Sequence, residues 1–222
     1  MDALLSGLEL NDRTIRFKVI LGLEEMARRF LTLRVDRAAI ENAIVSDAML
    51  YFRRFVIFSV LFGHRGEPPH SPGSLLSMAL TDSMERVKER VVWLLSLVYP
   101  AQDIRRAWAA LSSRDPVKRA HAIELLDYLL TGNIRRYVFP LFSDAPPDQR
   151  FAASLGLLGM DTINTESALR EMLQQGDMWL TAATIWEIGS RGPGEFRDKI
   201  SEFLISESAV LREAAGLVIE KI

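Results

Sequence analysis

The hydrophobic residues of the chain recur every three or four positions over most of its length. Apolar residues stand at positions 15, 19, 20 and 23, for example, and again at 122, 125, 126 and 129. This spacing places the apolar side chains on one face of an α-helix. The sequence contains no run of alternating β-branched residues bounded by turns, which would be typical of a strand. The pattern therefore predicts an all-α protein.

Short motifs that can begin a helix precede the predicted helices at intervals of 31 to 35 residues, and we call them marks. They are Asn11-Asp12, Ser46-Asp47, Thr81-Asp82, Arg114-Asp115, Pro146, Asp177 and Ser208. Asp, Asn, Ser and Thr accept hydrogen bonds from the free backbone N–H groups of a first helical turn. We therefore expect each mark to begin the second helix of a pair.

The leading helices of the pairs are predicted between these marks. They are expected at residues 36–44, 71–80, 102–111, 132–141, 165–174 and 195–205. Proline and glycine indicate the turns between pairs, as in Gly192-Pro193-Gly194. Helix pairs of this length cannot bury their apolar faces alone, so they stack on their neighbours. We therefore predict a right-handed α-solenoid of about seven helix pairs, forming a single domain over residues 1–222.

Both ends of the sequence lack the features of a complete repeat. Residues 2–10 alone precede the first mark, and the last residues, 220–222, continue a helical pattern. The chain is therefore expected to be a segment of a longer protein. The alternative is a complete chain whose ends are ordered by a partner.

Three stretches of the chain resemble the HEAT repeats of the HEAT/armadillo class. They cover residues 8–23, 111–130 and 206–219. The HEAT pattern has an Asp in the turn within each pair and a basic residue about one helical turn later. Asp12 and Arg16 match this pattern. Asp115 and Arg119 match it as well, whereas Asp177 is followed by a threonine. The resemblance implies HEAT-like pairs, with atypical repeats at the end.

A narrower resemblance covers residues 79–141. Residues 90–141 are similar to the HEAT-like block attached to bacterial transporter proteins related to the ATP/ADP carriers. In those proteins the block follows a membrane domain of many helices. The resemblance implies a cytosolic adaptor or regulatory piece of a larger membrane protein, tethered to the membrane through its parent. It carries over no catalytic residue.

Composition and motifs argue against an enzyme. Hydrophobic residues make up 49% of the 222 residues and charged residues 25%, an ordinary globular balance, and there is no cysteine. The motifs G-x-x-x-x-G-K-[ST], H-E-x-x-H and G-x-S-x-G are absent from the sequence. We therefore expect a non-enzymatic binding or scaffold module with no cofactor and no metal.

Two short motifs keep chemical alternatives open. Residues 189–194 (GSRGPG) are rich in glycine, as a phosphate-binding loop is, but they follow a predicted helix, which favours a helix-ending turn. His64 and His70 flank Glu67 and permit a metal site, although their spacing matches no rigid ligand pair. His121, on a predicted helix, is expected to be packed or on the surface rather than a base.

The most apolar run, residues 55–63 (FVIFSVLFG), is too short to cross a membrane. A membrane helix needs about 20 residues. The run favours a buried core helix, and an interfacial membrane helix is the alternative because arginines flank it. The N-terminus shows no signal-peptide pattern. The expected location is therefore cytoplasmic, with no membrane span in this segment.

In four of the predicted leading helices, an arginine directly follows an apolar residue at the same position of the repeat. The four are Arg105, Arg135, Arg170 and Arg197. The next residue is again arginine, Arg106 or Arg136, in the first two helices and acidic in the others. Basic residues outnumber acidic ones by 21 to 18 over residues 1–156, and acidic residues outnumber basic ones by 11 to 6 over residues 157–222.

This asymmetry selects Arg105, Arg106, Arg135 and Arg136 as a candidate docking surface. The expected partner is acidic: a peptide of another protein, a neighbouring domain of the same chain, or a lipid head group. The alternative is a solvated face whose arginines pair with neighbouring acids.

Four tryptophans raise the alternative of a nucleic-acid-binding or DNA-glycosylase-like HEAT protein. HEAT-like glycosylases use aromatic and acidic residues on a basic concave face. Trp93 and Trp186 take core-facing phases, and Trp179 is expected to be exposed. The formal charge of −2 and the lack of a basic excess around Trp179 favour a protein partner over nucleic acid.

Overall fold

A computed structural model describes residues 36–63 and 74–220, together with helical residues 15, 18, 19, 22 and 25. Within this part of the chain every regular element is a helix and no strand occurs, which confirms the all-α prediction. The α-helices are α1 (Arg37–Phe62), α2 (Leu75–Val98), α3 (Ala101–Leu111), α4 (Pro116–Leu129), α5 (Gly132–Phe142), α6 (Pro147–Leu158), α7 (Thr165–Gln174), α8 (Met178–Arg191), α9 (Arg197–Ser201) and α10 (Ala209–Ile219). Short 3₁₀ segments, Gly194–Phe196 and Glu202–Ile205, flank α9.

Polar side chains begin helices at three of the predicted marks. Asp115 accepts hydrogen bonds from two backbone N–H groups in the first turn of α4, and Asp177 does the same for α8. Ser208 accepts one from the first turn of α10. Such a cap stabilises a helix by about 1 kcal/mol. At the mark Pro146, α6 begins one residue later. The first mark, Asn11-Asp12, lies outside the described residues, as does Arg16.

Two of the predicted marks do not separate two helices, so the prediction of a turn at each of them is wrong. Ser46-Asp47 lies inside α1, and Thr81-Asp82 lies inside α2. Neither helix contains a glycine or proline that would interrupt it. The leading helix predicted at residues 36–44 is therefore part of α1. Of the one predicted at residues 71–80, residues 75–80 belong to α2, and residues 71–73 lie outside the described residues. In the described residues, each of these two marks lies within one continuous helix rather than between the two helices of a pair.

The polar side chains at these marks have uses other than capping. Asp47 is completely buried and accepts two hydrogen bonds from Arg90, at 3.0 and 3.1 Å. The hydroxyl of Thr81 donates to the Ser77 carbonyl one turn earlier, at 2.9 Å. Asp and Thr resemble caps in the sequence, but here a distant partner and a bond within the helix satisfy them.

By its contacts the chain divides into two compact units. The first comprises Met1–Arg53 with Glu85–Pro146, and the second comprises Arg54–Met84 with Pro147–Ile222. In the first unit α3 packs against α4, and α4 packs against α5. Its core includes the buried residues Ile44, Val91, Ile104, Leu126 and Val138.

In the second unit α8 packs against both α7 and α10. One apolar cluster joins these helices with the end of α1 and the start of α2. At Gly189, α8 comes so close to α10 that an added Cβ would lie 2.6 Å from a methyl carbon of Val218. Glycine therefore permits this close approach. The predicted leading helix at residues 195–205 is instead broken into the short α9 and its two 3₁₀ neighbours.

Glu187 is a buried acidic residue of the second unit. It is 7% exposed and accepts hydrogen bonds from the hydroxyl of Ser74, just before α2, and from Arg191. Arg191 in turn donates to the Leu61 carbonyl at the end of α1, at 3.0 Å. These bonds attach the end of α1 and the start of α2 to α8. No helix within residues 36–63 and 74–220 is long and apolar enough to cross a bilayer.

Replacing Asp47 by alanine should lower the free energy of unfolding by about 3–5 kcal/mol, because it leaves the buried guanidinium of Arg90 without its carboxylate. Glu41→Ala is the matched control in the same helix. Glu41 pairs with Arg37 on the surface, so its loss should cost about 0–1 kcal/mol. Urea unfolding followed by circular dichroism measures both changes. Equal losses for the two variants would contradict the dominant role of the buried pair.

Candidate functional site

The four arginines selected from the sequence lie on two helices of the first unit. Arg105 and Arg106 are on α3, and Arg135 and Arg136 are on α5. All four are exposed. The residue before each pair, isoleucine in both helices, is buried, with 1% and 3% of its surface accessible. Each helix is therefore anchored by its isoleucine and presents the two following arginines to solvent.

A shallow depression on α5 contains two of these arginines. It has a volume of about 380 Å³ and is lined by Gly132, Arg135, Arg136, Phe139 and Pro140, which we call the α5 groove. These positions follow one another at steps of three, one, three and one, so they share one face of the helix. The two arginines are exposed, whereas the phenylalanine and proline are half-buried. The groove therefore combines a cationic rim with an apolar floor. Arg105 and Arg106 do not line it.

Proline and glycine shape the backbone of the groove. Pro140 lies inside α5 and has no N–H, so the usual helical hydrogen bond to the Arg136 carbonyl does not form. Gly132 begins the helix at a φ of +55°, in the left-handed region that favours glycine. The groove thus begins at a glycine whose conformation disfavours other residues. It ends at a proline that leaves a carbonyl without its helical donor.

The two arginines of the groove differ in their surroundings. Arg135 donates to Asp127 at the end of α4, with distances of 2.7 and 2.9 Å, so its charge is partly balanced. The guanidinium of Arg136 lies over the Tyr137 ring, 5.5 Å from its centroid. In the described part of the chain no acidic side chain forms an ion pair with Arg136. Arg136 is therefore the better placed of the two to receive an anion.

The arginine at the corresponding position of α7, Arg170, already interacts with two acidic side chains. Arg170 donates to Glu166 at 2.7 Å, lies 3.8 Å from Glu195, and has its guanidinium 5.5 Å from the centroid of the Phe196 ring. The hydrogen bond from Arg170 lowers the pKa of Glu166 below its ordinary value. The predicted row of arginines is thus uneven. The α5 arginines face an open groove, whereas Arg170 is held by its own acids.

Asp115 and Arg119, which match the spacing of the HEAT pattern in the sequence, make separate contacts in the structure. Asp115 caps α4, while Arg119 forms an ion pair with Asp144, in the turn before α6. The basic residue thus links α4 to the following turn rather than to the aspartate four residues before it. The sequence did not point to Asp144, because no fixed spacing from Arg119 identifies it.

The other candidate residues lie on α2, α4 and α8 and in the turn that follows α8. Trp179 is 67% exposed, as predicted, and Trp93 and Trp186 are half-buried. His121 is exposed and lies 3.5 Å from Glu124. Gly192 ends α8 with a φ of +92°, which confirms the helix-ending turn.

The possible metal ligands His64, Glu67 and His70 lie outside the described residues. Within residues 36–63 and 74–220, no group of three His, Asp or Glu side chains is placed to hold a metal ion.

Sequence reasoning missed the floor of the groove. Phe139 and Pro140 follow Arg136 by three and four residues, a spacing that alone places them beside it on one helix face. That signal was present in the sequence. The pairing of Arg135 with Asp127 had no comparable signal, because it depends on how α4 meets α5.

Comparisons with protein-family models, with curated proteins and with solved structures find no match for the chain.

The carboxyl group of Glu166 should titrate below the ordinary range of a glutamate, and Arg170→Gln should raise its pKa toward that range. The lowered pKa means that the pair stabilises the folded chain at neutral pH. This contribution is lost as the pH falls through the lowered pKa. Side-chain NMR titration measures both variants. Arg197→Gln, which removes another exposed arginine, should leave the pKa of Glu166 unchanged, and an equal shift in both variants would contradict the assignment.

Proposed function

We propose that the chain is a HEAT-like module, built as a right-handed α-solenoid, that binds an acidic partner without catalysing a reaction. Two features of the described residues support the HEAT-like interpretation. Caps start α4, α8 and α10 at positions 115, 177 and 208, near a 31-residue period. Gly189 allows α8 and α10 to pack closely, as stacked repeats require.

The α5 groove is the observation that carries the proposed binding function. It places the guanidinium of Arg136 beside an apolar floor, with no competing acid on that arginine in the described part of the chain. A guanidinium forms strong, charge-assisted hydrogen bonds with carboxylates. Phe139 and Pro140 offer contact area to the rest of a ligand. The groove therefore suits an acidic peptide that also carries an apolar side chain.

The arginines of α3 extend this surface in the proposal. Arg105 and Arg106 follow the buried isoleucine of α3 just as the arginines of α5 follow the isoleucine 30 residues later. Trp108 of α3 meets Phe142 of α5, with ring centroids 6.0 Å apart, so the two helices are neighbours at one end. Four exposed arginines on neighbouring helices give an acidic chain more than one point of attachment.

Reversing the charge of Arg106 and Arg136 together should weaken binding of a fluorescent poly-glutamate peptide by about tenfold or more. Fluorescence anisotropy at low salt measures the affinity. The melting temperature should be unchanged, because both side chains are exposed. The expected loss arises from repulsion between the new glutamates and the peptide.

The double reversal of Arg114 and Lys118 is the matched control. Both residues are exposed in the same unit, and the net charge changes equally. This control should alter the affinity by no more than about twofold if the groove binds the peptide. Equal losses in the two double variants, or no binding by the unchanged chain, would overturn the docking surface. Duplex DNA in the same titration tests the nucleic-acid alternative.

We also propose that the module is a cytosolic regulatory or adaptor domain of a transporter-like membrane protein. Its support is the resemblance of residues 90–141 to the HEAT-like block of such proteins. The parent coding sequence tests this proposal. A run of membrane helices upstream of residue 1 is the expected finding, and a parent protein without any membrane helix would contradict it.

A further inference from the structure

We propose that a second copy of this chain occupies the α5 groove, docking there through one face of its helix α10. This inference rests on the proposed function, because it names the partner of the same groove. It differs from that function in committing to one occupant. The evidence for this occupant is a stripe of acidic and apolar side chains that lies exposed on α10.

The α10 stripe consists of Ala209, Glu213, Leu217 and Glu220. These residues are spaced by four, four and three positions, so they follow one face of the helix. All four are exposed, and Leu217 is one of the exposed large hydrophobic residues, at 42%. The stripe thus places an apolar side chain between two carboxylates.

The basic residue next to this stripe is turned away from it. Arg212 donates to the backbone carbonyls of Ser206 at 2.6 Å and Glu207 at 2.9 Å. Its guanidinium is therefore occupied by the turn before α10. Among the residues that the structure describes, no basic side chain forms an ion pair with Glu213 or Glu220. The two carboxylates are available to a partner.

The spacing of the stripe matches that of the groove. Arg136 and Phe139 are three residues apart, as are Leu217 and Glu220, which is about 4.5 Å along a helix axis. When the two helices run antiparallel, Leu217 meets the floor at Phe139 while Glu220 reaches Arg136. Because the stripe has a carboxylate on each side of Leu217, Glu213 serves the same purpose in the parallel direction.

Two electrostatic features favour this occupant. Glu220 lies at the C-terminal end of α10, where the helix dipole disfavours an acid and favours a nearby cation such as Arg136. Residues 157–222 contain 11 acidic and 6 basic residues, whereas residues 1–156 contain 18 and 21. Contact between the groove of one copy and the stripe of another therefore brings opposite net charges together.

The contact is expected to be weak and sensitive to salt. One helix face on one shallow groove buries far less surface than the roughly 1,600 Å² of a standard stable interface. Its ion pairs are at the surface, so salt screens them. The contact is also heterologous, because each copy uses its groove for one neighbour and its stripe for another.

Sedimentation velocity over a concentration series of the whole chain tests the proposal. The unchanged chain should show a weight-average mass that rises with concentration at low salt and returns to the monomer value at high salt. The variants R135E/R136E and E213R/E220R should each remain monomeric, because each places like charges on groove and stripe. An equimolar mixture of the two should associate again, since each altered surface is complementary to a surface of the other variant.

The charge-reversal variant D161R/D198R is the control, because it changes two exposed acids that lie off the stripe. It should associate like the unchanged chain. A monomeric unchanged chain at all concentrations, association that survives R135E/R136E, or a mixture that stays monomeric would each overturn the self-docking proposal. Poly-glutamate binding separates this result from the proposed function: binding without self-association would retain the groove as a docking surface and exclude the second copy as its occupant.

Discussion

The buried ion pair between Asp47 and Arg90 is the interaction on which the arrangement of α1 and α2 depends. Both charges are removed from water, and a bidentate pair with distances of 3.0 and 3.1 Å compensates for that loss. The pair fixes the position of residue 47 against residue 90. Because the carboxylate is used in this way, it cannot cap a helix, and α1 continues through the polar position.

A second buried acid has a comparable role in the other unit. Glu187 binds Ser74 before α2, while its partner Arg191 binds the Leu61 carbonyl at the end of α1. In both units, then, α1 and α2 are fixed by charged side chains whose partners lie far away in the sequence. A buried acid that lost its partner would strongly destabilise the folded chain.

This dependence on distant partners explains which parts of the fold the sequence could predict. Capping is local, so Asp115, Asp177 and Ser208 were recognised from their position before an apolar helix. The leading helix at residues 165–174 was also predicted with its observed bounds. Ser46-Asp47 has the same local appearance as a cap. The partner that changes its role, Arg90, lies 43 residues away and leaves no local signal.

The same distinction holds for the candidate site. The exposure of Arg105, Arg106, Arg135 and Arg136 followed from helical phase, because each pair comes directly after a buried isoleucine. Helical phase also indicated the groove, because it places Phe139 and Pro140 beside Arg136 on one face of α5. Phase also places Glu166 beside Arg170, four residues later on the same helix, but it could not show the contact of Arg170 with Glu195, which belongs to a separate segment. Sequence patterns identify which arginines face outward, and tertiary contacts decide which of them remain available for binding.

The central claim is that α5 presents a docking groove for acidic ligands. Hydrogen–deuterium exchange of the chain with and without saturating poly-glutamate peptide tests it most directly, because the method locates the bound surface. The account predicts slower exchange in residues 132–142 and no such change in the Arg136→Glu variant. Slower exchange confined to α8 around Trp179, or none anywhere in the chain, would contradict it.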